Sequence, residues 1–199
     1  KMQILRVFSS IWLVVLVVQT LVYIFSAVEA NILVNTQVTY QSINGWEASD
    51  TVGEVDYPAA FQTWREEALT RAVNELGINR VRLHTQAGVE NPIDYFTQYW
   101  NGQIDRSAWR LHWHEAVNDN SDPGAIDTRG FQFSQIDLKI DQIVEPMRKL
   151  AAANGERLYV NLLYTAGSSG TGGPGVLHSH NPNEYAEFML AHFLHIRDK

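Results

Sequence analysis

Residues able to do chemistry sit inside short apolar runs of this 199-residue chain. In Gly77-Ile78-Asn79-Arg80-Val81-Arg82-Leu83-His84, a period of two sets Val81 and Leu83 on one face of a strand and Arg80, Arg82 and His84 on the other. Side chains at the carboxyl ends of parallel strands line the ligand crevice of α/β proteins, which puts Arg82 and His84 where a substrate sits. The competing reading is an edge strand with a solvated polar face. A second run, Leu158-Tyr159-Val160-Asn161-Leu162-Leu163-Tyr164, again holds one polar residue, Asn161. Another strand, expected over Ser42 to Trp46, ends in Asn44-Gly45-Trp46-Glu47 and leaves a tryptophan and a carboxylate at its exit. A core aromatic is the alternative for Trp46.

Two histidine clusters, His112-Trp113-His114-Glu115 and His178-Ser179-His180, have the alternation with which a strand holds a metal, with Glu115 as a third ligand. Neither lies on a clear strand or has the His-Glu-x-x-His spacing of a helical site, so both are read as polar loop histidines, with no metal or cofactor expected. Glu47, Glu54, Asp56 and Glu90 fall near expected strand ends, but spacing alone does not bring any two to glycosidase separation. There is no Gly-x-Ser-x-Gly elbow for a serine nucleophile. The glycine-rich stretch Gly167 to Gly175 lacks the Gly-Lys-Ser/Thr ending of a phosphate loop and reads as a flexible connection.

The elements that must position these residues follow from periodicity. Strand-like segments are expected at Ile32-Leu33-Val34 and Val38-Thr39-Tyr40. Between Pro58 and Leu76 the apolar positions Phe61, Trp64, Leu69, Val73 and Leu76 recur at helical spacing, with proline in the first turn and Gly77 as a cap. The strand carrying Arg82 follows at once, so the unit is strand-helix-strand with parallel strands. Residues 85–133 show no clean period but contain Tyr95, Phe96, Tyr99, Trp100, Trp109 and Trp113, an aromatic loop suited to a sugar-binding wall. A helix is expected from Ser134, with serine as N-cap, running through Ile136, Ile140, Ile143 and Met147, kinked at Pro146 and stopped at Asn154-Gly155. A last helix begins near Pro182 and still runs at Lys199.

Composition narrows the partners. The chain is 45% hydrophobic and 19% charged, as a globular domain is, and its net charge of -7 argues against nucleic acid or an anionic membrane surface. Neutral ligands such as sugars fit better. The absence of cysteine excludes disulfides, thiolate metal sites and cysteine nucleophiles. Residues 1–30 have the layout of a secretory signal: Lys1 and Arg6, an apolar run, then Ser26-Ala27-Val28-Glu29-Ala30. Cleavage after Ala30 gives a secreted or periplasmic protein with a net charge of -8, since the segment carries Lys1, Arg6 and Glu29. Without cleavage the same run is a membrane anchor with the rest outside the cytoplasm, and the membrane is touched only there.

With these runs in place, Asn44-Gly45-Trp46-Glu47, Leu76 to Leu83 and Gly155 to Leu162 resemble the first three strand-helix units of the clan of retaining glycoside hydrolases that includes cellulase-like, β-xylosidase-like and glucosylceramidase-like families. The resemblance covers most of Ser42 to Lys199. It implies an α/β fold: the first three strand-helix units of a (β/α)8 TIM barrel over 31–199, preceded by the signal or anchor at 1–30. It further implies double displacement on an oligosaccharide or polysaccharide, with an acid/base glutamate after a fourth strand and a nucleophile glutamate after a seventh, both expected beyond Lys199. Arg82 matches the arginine that keeps the nucleophile ionised. The remaining substrate-binding assignments are His84 and Asn161 to sugar hydroxyls, Trp46 and Tyr164 as stacking faces, and Glu47 at the same strand end. Tyr164 contributes only if the chain turns, because Asn161 shares its face with Tyr159 and Leu163. Two other functions remain open: a non-catalytic carbohydrate-binding protein, suggested by the aromatic loop, and a metal-dependent hydrolase using the histidines.

Overall fold

The computed structural model describes residues 32, 34–165, 168–169, 173–174 and 176–199. The chain divides into two units, Lys1–Ser42 and Ile43–Lys199. The segment assigned above as signal or anchor lies outside the described residues. Among the described residues no helix is long and apolar enough to cross a membrane.

In the first unit, residues 34–42 contain a turn: Asn35 accepts from the Gln37 backbone through Oδ1 at 3.0 Å and from the Val38 N–H through its carbonyl at 3.3 Å. The strand expected at Val38-Thr39-Tyr40 is not formed. β-branched and aromatic residues favour a pleated surface but supply no partner, and without a neighbouring ladder the preference has nothing to act on.

The second unit is α/β. Strands β1 (Trp46–Ser49), β2 (Ile78–Gln86) and β3 (Tyr159–Thr165) form one parallel sheet in the order β1-β2-β3. Helix α1 (Pro58–Asn74) connects the first two strands. Pro58 occupies its first turn, where the missing N–H costs nothing, and Gly77 follows at φ +66°, a conformation in which a Cβ would be strained. Between β2 and β3 come two short helices, α2 (Tyr95–Trp100) and α3 (Arg106–Leu111), then a continuous helical rod. The rod is α4 (Ser134–Lys139), a π-helical turn over Ile140–Val144, and α5 (Glu145–Ala153). Where a kink is expected at Pro146, the rod carries this π turn just before the proline. Proline has no N–H for the carbonyl four residues back, so the ladder loosens upstream of the ring. Ser134 is not the N-cap: it lies inside α4, and its hydroxyl donates to Asp94 Oδ1 at 2.9 Å.

After β3, two-residue strands β4 (Ser168–Ser169) and β5 (Gly173–Pro174) pair antiparallel; the remainder of the glycine-rich loop lies outside the described residues. Helix α6 (Val176–His180) leads into α7 (Pro182–Asp198), where Asn181 Oδ1 accepts from the Asn183 N–H at 3.1 Å and caps the helix.

One face of the sheet holds the core. Val81 packs with Phe61, Leu69 and Val73 of α1 and with Ile143, Met147 and Ala151 of the rod. Burying side chains of this size stabilises by about 1.5–3 kcal/mol each. Tyr164 packs on the same side with Phe131, Phe188 and Ala191. The aromatic stretch forms its own small core, Phe96 and Trp109 against Val55 with Tyr99 stacked on Trp109 at 4.8 Å, rather than an open wall. The opposite sheet face is polar, with Glu47, Arg80 and Asn161 exposed.

Candidate functional site

The polar face of the sheet brings several of the expected site residues together. Register pairs Glu47 with Arg80 and Arg82 with Asn161, so the four share a face, as the period of two requires. Asn161 Nδ2 donates to Glu47 Oε2, linking the outer strands. Arg80 stacks over the Tyr159 ring at 5.7 Å. Arg82 lies mid-strand rather than at the strand end, because β2 continues to Gln86. Its Nε is buried without a hydrogen-bond partner, and no carboxylate among the described residues pairs with it.

His84 stands further along the same face, above a buried charge cluster. Asp50, fully buried, follows β1 and gathers four donors: the His84 N–H at 2.9 Å, His84 Nδ1–H at 2.6 Å, Lys139 Nζ at 2.8 Å and the Thr51 hydroxyl at 3.3 Å. Glu54 completes the group, 3.8 Å from Lys139 Nζ and bonded to the Val52 N–H at 2.9 Å. With Nδ1 donating to a carboxylate, the imidazole is held in one orientation and Nε2 carries any proton chemistry.

The cluster forms the floor of a cavity of about 330 Å³ beyond the carboxyl ends of the strands, walled by His84, Gln86, Trp109, Trp113, His114 and Gln135. Trp109 and Trp113 meet edge to face at 4.9 Å. The loop bearing Trp113 is seated by the Gly88 N–H, which donates to the Trp113 carbonyl at 2.9 Å. A Cβ at Gly88 would stand 2.2 Å from the His112 carbonyl oxygen, so only glycine permits this approach. Burial pulls the His114 pKa below its ordinary value, against a weaker opposing effect of the Thr165 backbone.

Two of the expected contacts fall elsewhere. Trp46 opens β1 instead of closing it, so it stands at the amino end of the strand, more than half exposed and remote from the carboxyl-end cavity in register. The strand boundary moved because Gly45 and Asn44 precede the ladder, with the Asn44 carbonyl accepting from Asn79 Nδ2 at 3.1 Å. Tyr164 pairs in register with Thr85 on the helix-covered face. Its hydroxyl donates to His178 Nδ1 at 3.1 Å, and burial, with Tyr185 and Glu90 nearby, pushes its pKa up to about 12.

The histidine clusters resolve into pairs. His112 Nδ1 bonds Glu115 and its ring stacks on Tyr95 at 3.6 Å, while His178 Nε2 bonds buried Glu90. Among the described residues no three histidines or carboxylates converge as a metal site. Sequence reasoning missed Asp50 and Lys139. Lys139 carried a signal, since it sits three residues after Ile136 on the apolar stripe, where a charge is buried only if paired.

Comparison with family models, with curated proteins and with solved structures gave no match to this chain.

Proposed function

We propose that this chain forms the first three strand-helix units of a (β/α)8-barrel retaining glycoside hydrolase, exported from the cytoplasm, and supplies one wall of its sugar site. The observation that carries the reading is Arg82: a cation on the polar sheet face, its Nε buried and without a carboxylate among the described residues. Leaving such a group unmatched costs free energy, which a nucleophile carboxylate from a later strand offsets while being held ionised. Three parallel strands in chain order are compatible with a barrel and equally with the first half of a doubly wound sheet, whose reversal comes after its third strand. Glu47 and Asn161 flank Arg82 as hydroxyl partners, and His84, fixed by Asp50, faces the cavity beyond.

In this reading the acid/base and nucleophile glutamates come from the fourth and seventh strands, and the chemistry is double displacement through a glycosyl-enzyme intermediate. A non-catalytic sugar-binding protein would use the same cavity but gives Arg82 no task. The test is hydrolysis of a panel of β-linked oligosaccharides by the full-length secreted polypeptide, with the anomer of the first product followed by NMR. Retention of configuration is expected, and Arg82→Ala should lower kcat by about a hundredfold or more with the fold intact, the scale for losing a preorganised electrostatic partner. No hydrolysis of any glycoside, or full turnover in Arg82→Ala, overturns the reading.

A further inference from the structure

Two glutamines in the wall of the cavity beyond the strands have no task in the fold. Gln86 closes β2 on the face that carries Arg82 and His84, since the three are spaced two residues apart. Gln135 lies one helical turn before Lys139 on α4, so these two share a side of the rod. Both glutamines line the cavity of about 330 Å³, and both also line an adjoining pocket of about 30 Å³, whose wall shares Trp109 and Trp113 as well. Strand and helix thus bring the two side chains to one space. Both are half-buried, and neither amide has a hydrogen-bond partner among the described residues. The charged groups around them are already occupied. Asp50 and Glu54 are committed to Lys139, Asp50 also to His84 Nδ1, and Asp56 to Arg106 through a 2.5 Å contact. Of these side chains, only the two amides and His84 Nε2 are left to meet a ligand.

A side-chain amide carries an acceptor oxygen and a donor NH2 side by side in one plane. It can accept from one hydroxyl while donating to the next, so it matches two hydroxyls on adjacent carbons. We propose that Gln86 and Gln135 each grip such a vicinal diol on one sugar ring, and that the two amides are the specificity-determining contacts of this cavity. The inference rests on the glycosidase reading for the identity of the ligand as a sugar, and adds the hydroxyl pattern it must carry and the residues that read it. At about 330 Å³ the cavity lies at the small end of ligand sites and suits a single ring better than a chain. Each hydrogen bond to the ring replaces one to water, so the net gain per bond is modest. Discrimination is sharper, because a ring lacking one hydroxyl leaves half of an amide unmatched in a space the ligand has closed.

The experiment titrates the full-length protein with the methyl glycosides of glucose, galactose, mannose and xylose, in parallel with turnover on the corresponding aryl glycosides. Tryptophan fluorescence reports binding, because Trp109 and Trp113 line the cavity. The tightest binder is then compared with its monodeoxy derivatives, each lacking one ring hydroxyl. Removing a hydroxyl that an amide reads should weaken binding by about three- to tenfold. Gln86→Met and Gln135→Met keep the unbranched stem and remove the amide, and each should weaken the parent sugar by about the same factor. In each variant the penalty of the deoxy sugar that lacks its partner hydroxyl should vanish, since the two changes act on one contact. The deoxy series on the unaltered protein needs no substitution and decides the matter if a variant fails to fold. Hydrolysis that persists with equal affinity across the deoxy series, or with unchanged affinity in the folded variants, overturns this inference and leaves the glycosidase reading standing. Sugar binding with the expected losses but no hydrolysis supports the inference and removes the glycosidase reading. Binding of no sugar overturns both.

Discussion

Asp50 and His84 are joined twice, the His84 backbone N–H reaching Asp50 Oδ2 at 2.9 Å and the ring Nδ1–H reaching Oδ1 at 2.6 Å. Both ends of one carboxylate thus grip one residue of the neighbouring strand, and Lys139 balances the charge from the helical rod. Asp50→Asn should weaken the two His84 hydrogen bonds and leave Lys139 with Glu54 alone at 3.8 Å, at about 1–3 kcal/mol of stability. Lys139→Met alone should cost about 3–5 kcal/mol because Asp50 and Glu54 then lose their cation, and the double variant Asp50→Asn with Lys139→Met, in which only Glu54 stays uncompensated, should cost less than the sum of the singles. Denaturant midpoints for the two singles and the double decide it, and simple additivity would count against a coupled pair.

Helix α7 is fastened to β2 through His192. Its Nδ1–H donates to the Phe188 carbonyl at 2.7 Å, and Nε2 accepts from the Thr85 hydroxyl at 2.6 Å. Burial is the main cause that lowers its pKa from 6.5 to about 4. The unfolded chain therefore binds the proton more readily, so stability is lost as pH falls from 6.5 towards 4. His192→Phe should strand the Thr85 hydroxyl at a cost of about 1–3 kcal/mol and remove this acid slope. Thermal melts at pH 4.5 and 6.5 show it.

The opposite slope is expected from Glu187, buried near Glu184, Asp119 and Glu90. Burial and then these like charges push its pKa from 4.5 up to about 7. The folded state here binds the proton more tightly, so this contribution is complete below pH 4.5 and is lost as pH rises to about 7. Glu187→Gln should flatten the decline in melting temperature between pH 5 and pH 8. A decline as steep as in the parent protein would show that another group controls it.

Gly88→Ala tests how the cavity wall is seated. The added Cβ meets backbone at His112 and Trp113, which cannot swing away as a side chain would. A loss of about 1–3 kcal/mol is expected, and under the proposed function glycoside affinity should fall further than stability predicts because the wall residues Trp113 and His114 are displaced together. Comparing urea midpoints with glycoside affinity separates the two effects.

Local patterning made much of this legible in the sequence. Pro58 and Gly77 bracketed α1 to within a few residues of its observed end at Asn74, and alternation placed Arg82, His84 and Asn161 on one face. The misses have a common physical source. Trp46 was set at the wrong end of β1 because a four-residue strand contains too little alternation to locate its boundary, and Tyr164 belonged to the covered face that its own alternation indicated. Asp50 and Lys139 are 89 residues apart in the chain, and such a pairing exists only once the sheet and rod have come together. The inward packing of the aromatic loop was likewise decided by tertiary contacts, which no local period records.

The π turn at Ile140–Val144 separates two addresses along one rod. Lys139, before it, is aimed at the charge cluster, while Met147 and Ala151, after it, pack against α1 and β2. In an unbroken α-helix each residue advances by about 100°, so a single deletion within the turn would rotate one end against the other by about that angle. The turn therefore sets a phase: it fixes the angle at which one rod presents Lys139 to the cluster beneath the cavity and Met147 and Ala151 to the hydrophobic seam.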